Sequence, residues 1–389
     1  MKMIVSHNKC TGCHACFSVC PVNAISMYRD YAGFLYPNIN EKLCIDCNLC
    51  VRICPVNKII RSDTIVTSLS KAFACININE SIRYQSSSGG AFTALAEHVI
   101  ENGGVVFGAS FDLKFDVSHD YSETVEGLNK FRGSKYVEST IDLSFLKAKE
   151  FLQAEKSVLF SGTPCQIEGL LSFLGKGYDK LITVDLICHG VASPMIWQKY
   201  IRYRNKEYGM TPEAISFRDK KIGWEKFCLS FKYPNEREYC SSMDKDLYMQ
   251  LFLNNLCLRE SCYRCKFKTI HRKSDITIAD FWGIEQINPE LYDNRGCSLV
   301  IVHSMKGERL IIEISNKADL VAVDLERAIS NNKNAIKSAR KPILRRFLVK
   351  YILYNNFTFV EIITKCYNFG KRLTSKSIDI LNRIMKAID

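Results

Sequence analysis

Eight of the eighteen cysteines fall within 45 residues, in two runs that share one spacing. Cys10, Cys13, Cys16 and Cys20 precede Pro21, and Cys44, Cys47, Cys50 and Cys54 precede Pro55, so C-x2-C-x2-C-x3-C-P is written twice, 34 residues apart. Two-residue gaps let three successive thiolates wrap one metal centre, and a [4Fe–4S] cubane needs a fourth thiolate from elsewhere. In two-cluster modules the last Cys of each run serves the other cluster. That rule pairs Cys54 with Cys10, Cys13 and Cys16, and Cys20 with Cys44, Cys47 and Cys50. Zinc also accepts four thiolates. Two complete copies, each followed by Pro and then Val-Asn at Val22-Asn23 and Val56-Asn57, favour two [4Fe–4S] clusters over zinc. Ala15, Val19 and Ile53 would screen the sulfurs from water. A period of 34 also fits helical repeats, but their aromatic and small-residue signatures are missing.

Three further cysteines, Cys257, Cys262 and Cys265, read C-x4-C-x2-C and again suit three corners of a cluster. The fourth ligand is expected at the end of a strand, with Cys188 the first choice and Cys165 the second. Zinc is the competing occupant.

The elements that must position these thiols follow from apolar runs and turns. Val158-Leu159-Phe160 leads through Ser161-Gly162-Thr163 to a helix starting near Pro164, and Leu181 to Ile187 forms a second buried strand ending at Cys188-His189-Gly190. Strand-then-helix alternation predicts an α/β core with a mainly parallel sheet, whose ligands collect at the carboxyl ends of the strands. Cys165 and Cys188 both fall on that rim. Ser86 to Gly90 opens a helical pattern at Ala91 to Ile100, where free backbone N–H groups suit a cofactor phosphate. A Ser cap followed by flexible glycines is the plainer alternative. Neither a G-x-G-x-x-G after a strand nor a G-x-x-x-x-G-K-[ST] occurs, and no Ser/His/Asp arrangement stands out, which argues against a standard nicotinamide site, a P-loop and hydrolysis.

At 389 residues and 47% hydrophobic content the chain can bury two or three domains. The few residues ahead of Cys10 leave no room for a signal-peptide core, and no apolar run approaches a membrane span of roughly 18 residues. A reducing cytoplasm is expected. Nearly all of the net charge of +12 resides in residues 327–389, which hold 14 Lys and Arg against Glu361, Asp379 and Asp389. In that basic tail Leu344, Phe347, Leu348, Tyr351 and Ile352 share one helical face. The stripe either packs on the core or leaves a cationic surface for an acidic redox partner or an anionic membrane face. The body lacks the basic patch with stacking aromatics that nucleic-acid binding requires.

Taken together, Ser87 to Gly90, Gly133 to Val137, Ser161 to Gln166, Asp185 to Gly190, Ser216 to Asp219, Cys257 to Cys265 and Asp275 to Gly283 resemble the beta subunit of coenzyme F420-reducing hydrogenase and dehydrogenase, over roughly residues 1 to 315. The resemblance implies FAD beside a third [4Fe–4S] cluster, with electrons passed to a deazaflavin carrier. Carried over, it makes Ser88, Gly89, Gly90, Lys135, Tyr136, Thr163 and Pro164 the expected flavin contacts. Fusion to two ferredoxin clusters and a basic tail is similar to a bacterial branch outside methanogens.

The expected layout is an α+β ferredoxin-like domain over 1–60, a linker over 61–71, a flavin-binding α/β domain over 72–326 and a basic helical tail over 327–389. The expected function is an iron–sulfur flavoprotein oxidoreductase, relaying electrons from ferredoxin through three clusters and FAD to a deazaflavin-like or other two-electron acceptor. The alternative is an electron-delivery protein docked on a partner enzyme, such as one in surface polysaccharide biosynthesis.

Overall fold

The computed structural model describes residues 3–58 and 70–343, together with Arg345, Val349, Tyr351, Ile352 and Phe357. Most of the expected linker and most of the basic tail lie outside these residues.

The N-terminal module repeats one local design. Each cysteine run turns into a short helix, Ala15–Val19 or Leu49–Arg52, through a residue in the left-handed region, His14 at φ 62° and Asn48 at φ 57°. The turn falls directly after the second Cys of each run, where it redirects the chain around a metal centre. Between the runs, β1 (Ile25–Arg29) and β2 (Leu35–Ile39) form an antiparallel hairpin. Its loop is tied by Asp30 Oδ1, which accepts from Ala32 N at 3.0 Å and Phe34 N at 2.9 Å. Ile4, Ile25, Ile39, Cys54 and Val56 make a core too small to stand on apolar burial alone. Metal binding is the usual remedy in modules of this size.

The core sheet begins with β3 (Lys71–Asn77), β4 (Val105–Phe111) and β5 (Val117–Ser122), and continues with β6 (Val158–Gly162) and β7 (Leu181–Leu186). A separate antiparallel sheet follows, built from β8 (Ala214–Asp219), β9 (Cys228–Lys232) and β10 (Glu238–Ser242). The chain then returns to the large sheet with β11 (Ile276–Asp280), β12 (Ser298–Val302) and β13 (Ala318–Val323). The eight-stranded order is β13-β3-β12-β11-β7-β6-β4-β5.

The sheet is mixed, with a parallel centre. β11, β7, β6 and β4 run parallel, whereas β5 pairs antiparallel on one side and β12, β3 and β13 alternate direction on the other. The edge at β5 follows from its connection: Asp112 Oδ1 accepts from Lys114 N and Asp116 N at 2.8 Å, closing a turn too short for a parallel crossover.

Both faces of the centre are covered, as parallel strands require. Val106, Leu159 and Val184 pack with the helices Ala91–Glu101 and Met305–Glu313. On the other face Val105, Phe107, Val158 and Phe160 meet the helices Ser144–Gln153 and Pro164–Leu174. Cys13 and Ala15 join this second cluster, so the ferredoxin module is seated directly on the core.

The aromatic cluster around Trp197, Tyr200, Phe217, Phe231 and Tyr248 also takes in Phe34 and Tyr36 of the module, and Val349, Ile352 and Phe357 of the tail. Of the predicted tail stripe, Ile352 is buried and Tyr351 half-buried, while Leu344, Phe347 and Leu348 lie outside the described residues. Arg345 donates to Leu258 O at 3.1 Å and Glu260 Oε2 at 3.0 Å, so the described part of the tail packs over the Cys257–Cys265 segment. Among the described residues no helix is long and apolar enough to cross a membrane.

Candidate metal centres

Three cavities are each lined by four cysteines. Cys10, Cys13, Cys16 and Cys54 line the first. Cys20, Cys44, Cys47 and Cys50 line the second. Cys54 thus stands with the first run and Cys20 with the second, the placement that crossed ligation needs. Cys165, Cys188, Cys262 and Cys265 line the third, the largest of the three.

Local structure explains how the third set converges. Cys165 is the second residue of the helix Pro164–Leu174, whose start is fixed by a Thr163/Gln166 capping box directly after β6. Cys188 follows the neighbouring parallel strand β7. The single turn Glu260–Arg264 carries Cys262 and delivers Cys265 at its end. Two adjacent strand ends and one turn therefore supply four thiols at the carboxyl rim of the sheet.

Cys257, an expected ligand of the third cluster, does not line this cavity. Leu258 bridges Ala192, and this extended pairing turns Cys257 into the aromatic cluster, where it is buried. Only Cys262 and Cys265 keep the two-residue gap of the ferredoxin runs. Cys165, the second choice for a fourth ligand, lines the cavity together with Cys188, the first choice.

The chemistry of the thiols fits a cluster. Burial pushes Cys13 and Cys262 up to about 12 and raises Cys50, Cys54, Cys165 and Cys188. Such thiols ligate only when a strongly charged metal centre displaces their protons. Among the described residues no three His, Cys, Asp or Glu side chains close on a single-ion position. Each thiol set lines a cavity, as the four corners of a cubane require. Donors also reach the sulfurs: Ala24 N donates to Cys20 Sγ at 3.2 Å, and Thr163 Oγ1 lies 3.2 Å from Cys165 Sγ.

The cavities differ in charge. Among the described residues no Lys, Arg, Asp or Glu lines the first or the second, whereas Arg259, Lys268, Arg272 and Glu138 line the third. Lys268 donates to Cys188 O, and Arg272 pairs with Asp185 at 3.4 Å. Thr11 and Gly12 line both the first and the third cavity and form a shared wall.

Residues 9–58 match the 4Fe-4S dicluster domain, and residues 155–328 match the family described as the C-terminal part of the coenzyme F420 hydrogenase/dehydrogenase beta subunit. The second half of the core is thus similar to the F420 hydrogenase/dehydrogenase beta-subunit family. Among solved structures the chain is similar to one from the F420-reducing [NiFe] hydrogenase complex of Methanosarcina barkeri, determined with xenon. The two are 15% identical with a TM-score of 0.47, over 68% of this chain and 86% of that one. No curated protein matches the chain. The protein is an iron–sulfur electron-transfer protein related to the F420 hydrogenase beta subunit.

The seven residues expected to contact FAD lie on three segments, the first two of which adjoin: Ser134 N donates to Ser87 Oγ at 2.6 Å, and Arg218 donates to both Ser87 O and Tyr136 OH. Ser88 Oγ donates to Cys297 O at 2.7 Å, and Gly89 N donates to Ser298 Oγ at 2.9 Å. A Cβ built on Gly89 would stand 2.2 Å from Cys75 O, so this glycine serves close packing against β3 and β12. Gly90, at φ +89°, is the left-handed cap of the helix Ala91–Glu101. Ser88 Oγ and Gly89 N are thus engaged internally, and the helix begins from Gly90 with no side-chain cap, so Ser88 is not its N-cap.

Lys135 donates to Gly133 O at 3.2 Å, and loss of surrounding water lowers its pKa to about 7. Tyr136 stacks on Phe252 with centroids 4.6 Å apart. Thr163 and Pro164 line the third cavity instead. Sequence reasoning had passed over Arg259 and Glu138; the only signal was a charged residue, Arg259, inside the cysteine segment.

Proposed function

We propose that the chain relays single electrons between an external one-electron carrier and a partner enzyme, through three [4Fe–4S] clusters in series. The supporting observation is the set of three four-cysteine cavities, the first and third sharing Thr11 and Gly12 in their walls. A [4Fe–4S] cluster, when bound, takes up or gives up one electron.

The chain's own residues hold, screen and polarise. Cys47 is exposed, so the second cavity is the point of contact with an outside carrier. Cys10, Cys13 and Cys54 are buried, and the first cavity excludes water. Cys165, Cys188, Cys262 and Cys265 hold the third centre. Arg259, Lys268 and Arg272 around it favour added negative charge and make it the destination of the electron.

FAD and a deazaflavin-like acceptor rest on the resemblance alone, and transfer between the three cavities requires no flavin step. The reading taken is therefore electron delivery to a partner enzyme, with turnover of a deazaflavin by the chain itself as the alternative. Iron, sulfide and flavin assays on anaerobically purified protein test the reading. About twelve irons per chain, four per cluster, are expected. About eight would confine the protein to its ferredoxin module. Stoichiometric FAD with rapid deazaflavin reduction would replace delivery by oxidoreductase turnover.

A further inference from the structure

The wall between the first and third cavities contains a buried ion pair that neither ligand set requires. Arg259 is wholly buried and Glu138 nearly so. Although Arg259 belongs to the core, its guanidinium is spent largely on the ferredoxin module. Its Nε donates to Cys10 O at 2.8 Å and Nη2 donates to Leu35 O at 2.7 Å. Nη2 also lies 3.7 Å from Cys10 Sγ, while Nη1 meets Glu138 Oε1. The cation therefore stands between the carboxylate and the thiol. Tyr36 covers it, with its ring centroid 4.2 Å away. Glu138 is held in turn, since its Oε2 accepts from Leu35 N at 3.3 Å.

A buried ion pair offers little stability over an apolar replacement, because desolvation offsets the attraction. A charge beside a ligating sulfur in a low dielectric, however, acts strongly on any centre that gains an electron. We infer that Arg259 is a positioning residue that raises the reduction potential of the cluster held by Cys10, Cys13, Cys16 and Cys54, with Glu138 as its counter-charge. This rests on the cluster proposed for the first cavity and not on the third. The core thereby sets the potential of a module that it does not ligate.

The test is a redox titration of that cluster, followed by electron paramagnetic resonance in the full anaerobic chain. Glu138→Gln is expected to shift the midpoint upward, because the cation loses its counter-charge. Arg259→Gln is expected to shift it downward, and Arg259→Lys to stay nearer the unmodified value than Arg259→Gln does. Both glutamine variants break the same pair, so a purely structural role would move them in the same direction. Equal-signed shifts, or none, overturn the inference. If Arg259→Gln loses iron, Glu138→Gln and Arg259→Lys carry the test: an unmoved midpoint in Glu138→Gln is then decisive against it. Absence of the first cluster's signal in the unmodified chain would instead defeat the occupancy on which the inference stands.

Discussion

The two ferredoxin-type cavities are written with one cysteine pattern, yet they sit in opposite surroundings. Around the first, Cys10, Cys13 and Cys54 are buried, and the core presses on the loop through Gly169 and Arg259. Around the second, Cys47 is exposed, Cys20, Cys44 and Cys50 are half-buried, and Leu43 and Ile45 face solvent. Ligand spacing decides which metal centre forms. What packs against the loop decides whether that centre meets an outside carrier or serves as an internal relay. The third cavity takes this further, for its four thiols share no repeated pattern and its walls carry charge.

The sharpest way to break the comparison is to remove one corner of the third cavity. Cys165→Ala is expected to cost about four of roughly twelve irons, one cluster's worth, and to leave both ferredoxin signals intact. Cys257→Ala should keep its iron, because that thiol faces the aromatic cluster. Iron analysis of the two variants, side by side, checks the assignment. Full iron in Cys165→Ala with loss in Cys257→Ala would restore the C-x4-C-x2-C ligand set.

That spacing alone does not tell which thiols of C-x4-C-x2-C reach the cavity has a physical reason. Which way a thiol points in an extended segment depends on its pairing partner, and Ala192, the partner of Leu258, lies 66 positions earlier in the chain. The repeated ferredoxin runs were legible because two-residue gaps close their geometry locally. The β6 and β7 rim was legible because Val158-Leu159-Phe160 and Leu181 to Leu186 are apolar runs that end in turn residues. The antiparallel flanks of the sheet, and the separate sheet of β8, β9 and β10, depend on distant pairing and left no comparable pattern. At Gly89 the sequence was ambiguous, because the absence of a side chain suits a phosphate and a neighbouring strand equally well. The 2.2 Å approach of Cys75 O to its missing Cβ shows that close packing alone requires a glycine there.

Within the ferredoxin module, Cys20→Ala discriminates crossed from local ligation. The expected damage is to the second cavity's cluster, because Cys20 lines it with Cys44, Cys47 and Cys50. Paramagnetic resonance of the reduced variant should retain the first cluster and lose or convert the second. Damage limited to the first cluster would make ligation local.

A smaller effect, of rate rather than stoichiometry, should separate the two clusters in the unmodified chain. With Cys47 open to water, a ferrous-iron chelator under reducing anaerobic conditions is expected to strip the second cavity before the first. Iron release should be at least biphasic, with the second cluster's signal disappearing in the fast phase. A single phase, or earlier loss of the first cluster, would mean that burial at Cys10, Cys13 and Cys54 gives no protection.

The smallest expected effect tests the contact that makes the first cavity internal. Gly169 lies within the helix Pro164–Leu174, and a Cβ built there would stand 3.0 Å from Cys13 Cβ and 3.1 Å from Cys13 Sγ. Two terms oppose each other in Gly169→Ala. Alanine gains about 1 kcal/mol in helix propensity, whereas an added methyl in a closed contact costs about 1–3 kcal/mol. Cys13 can yield only by moving away from its cluster, so the steric term should win, with a net loss of about 1 kcal/mol. Gly177→Ala is the control, since a Cβ there would meet nothing within 4 Å, and it should stay within about 0.5 kcal/mol of the parent. Thermal unfolding of the cluster-loaded protein reads both variants. In Gly169→Ala the first cluster's absorbance should be lost at a lower temperature than in the parent, while unchanged melting would mean that the module rests on the core without depending on this contact.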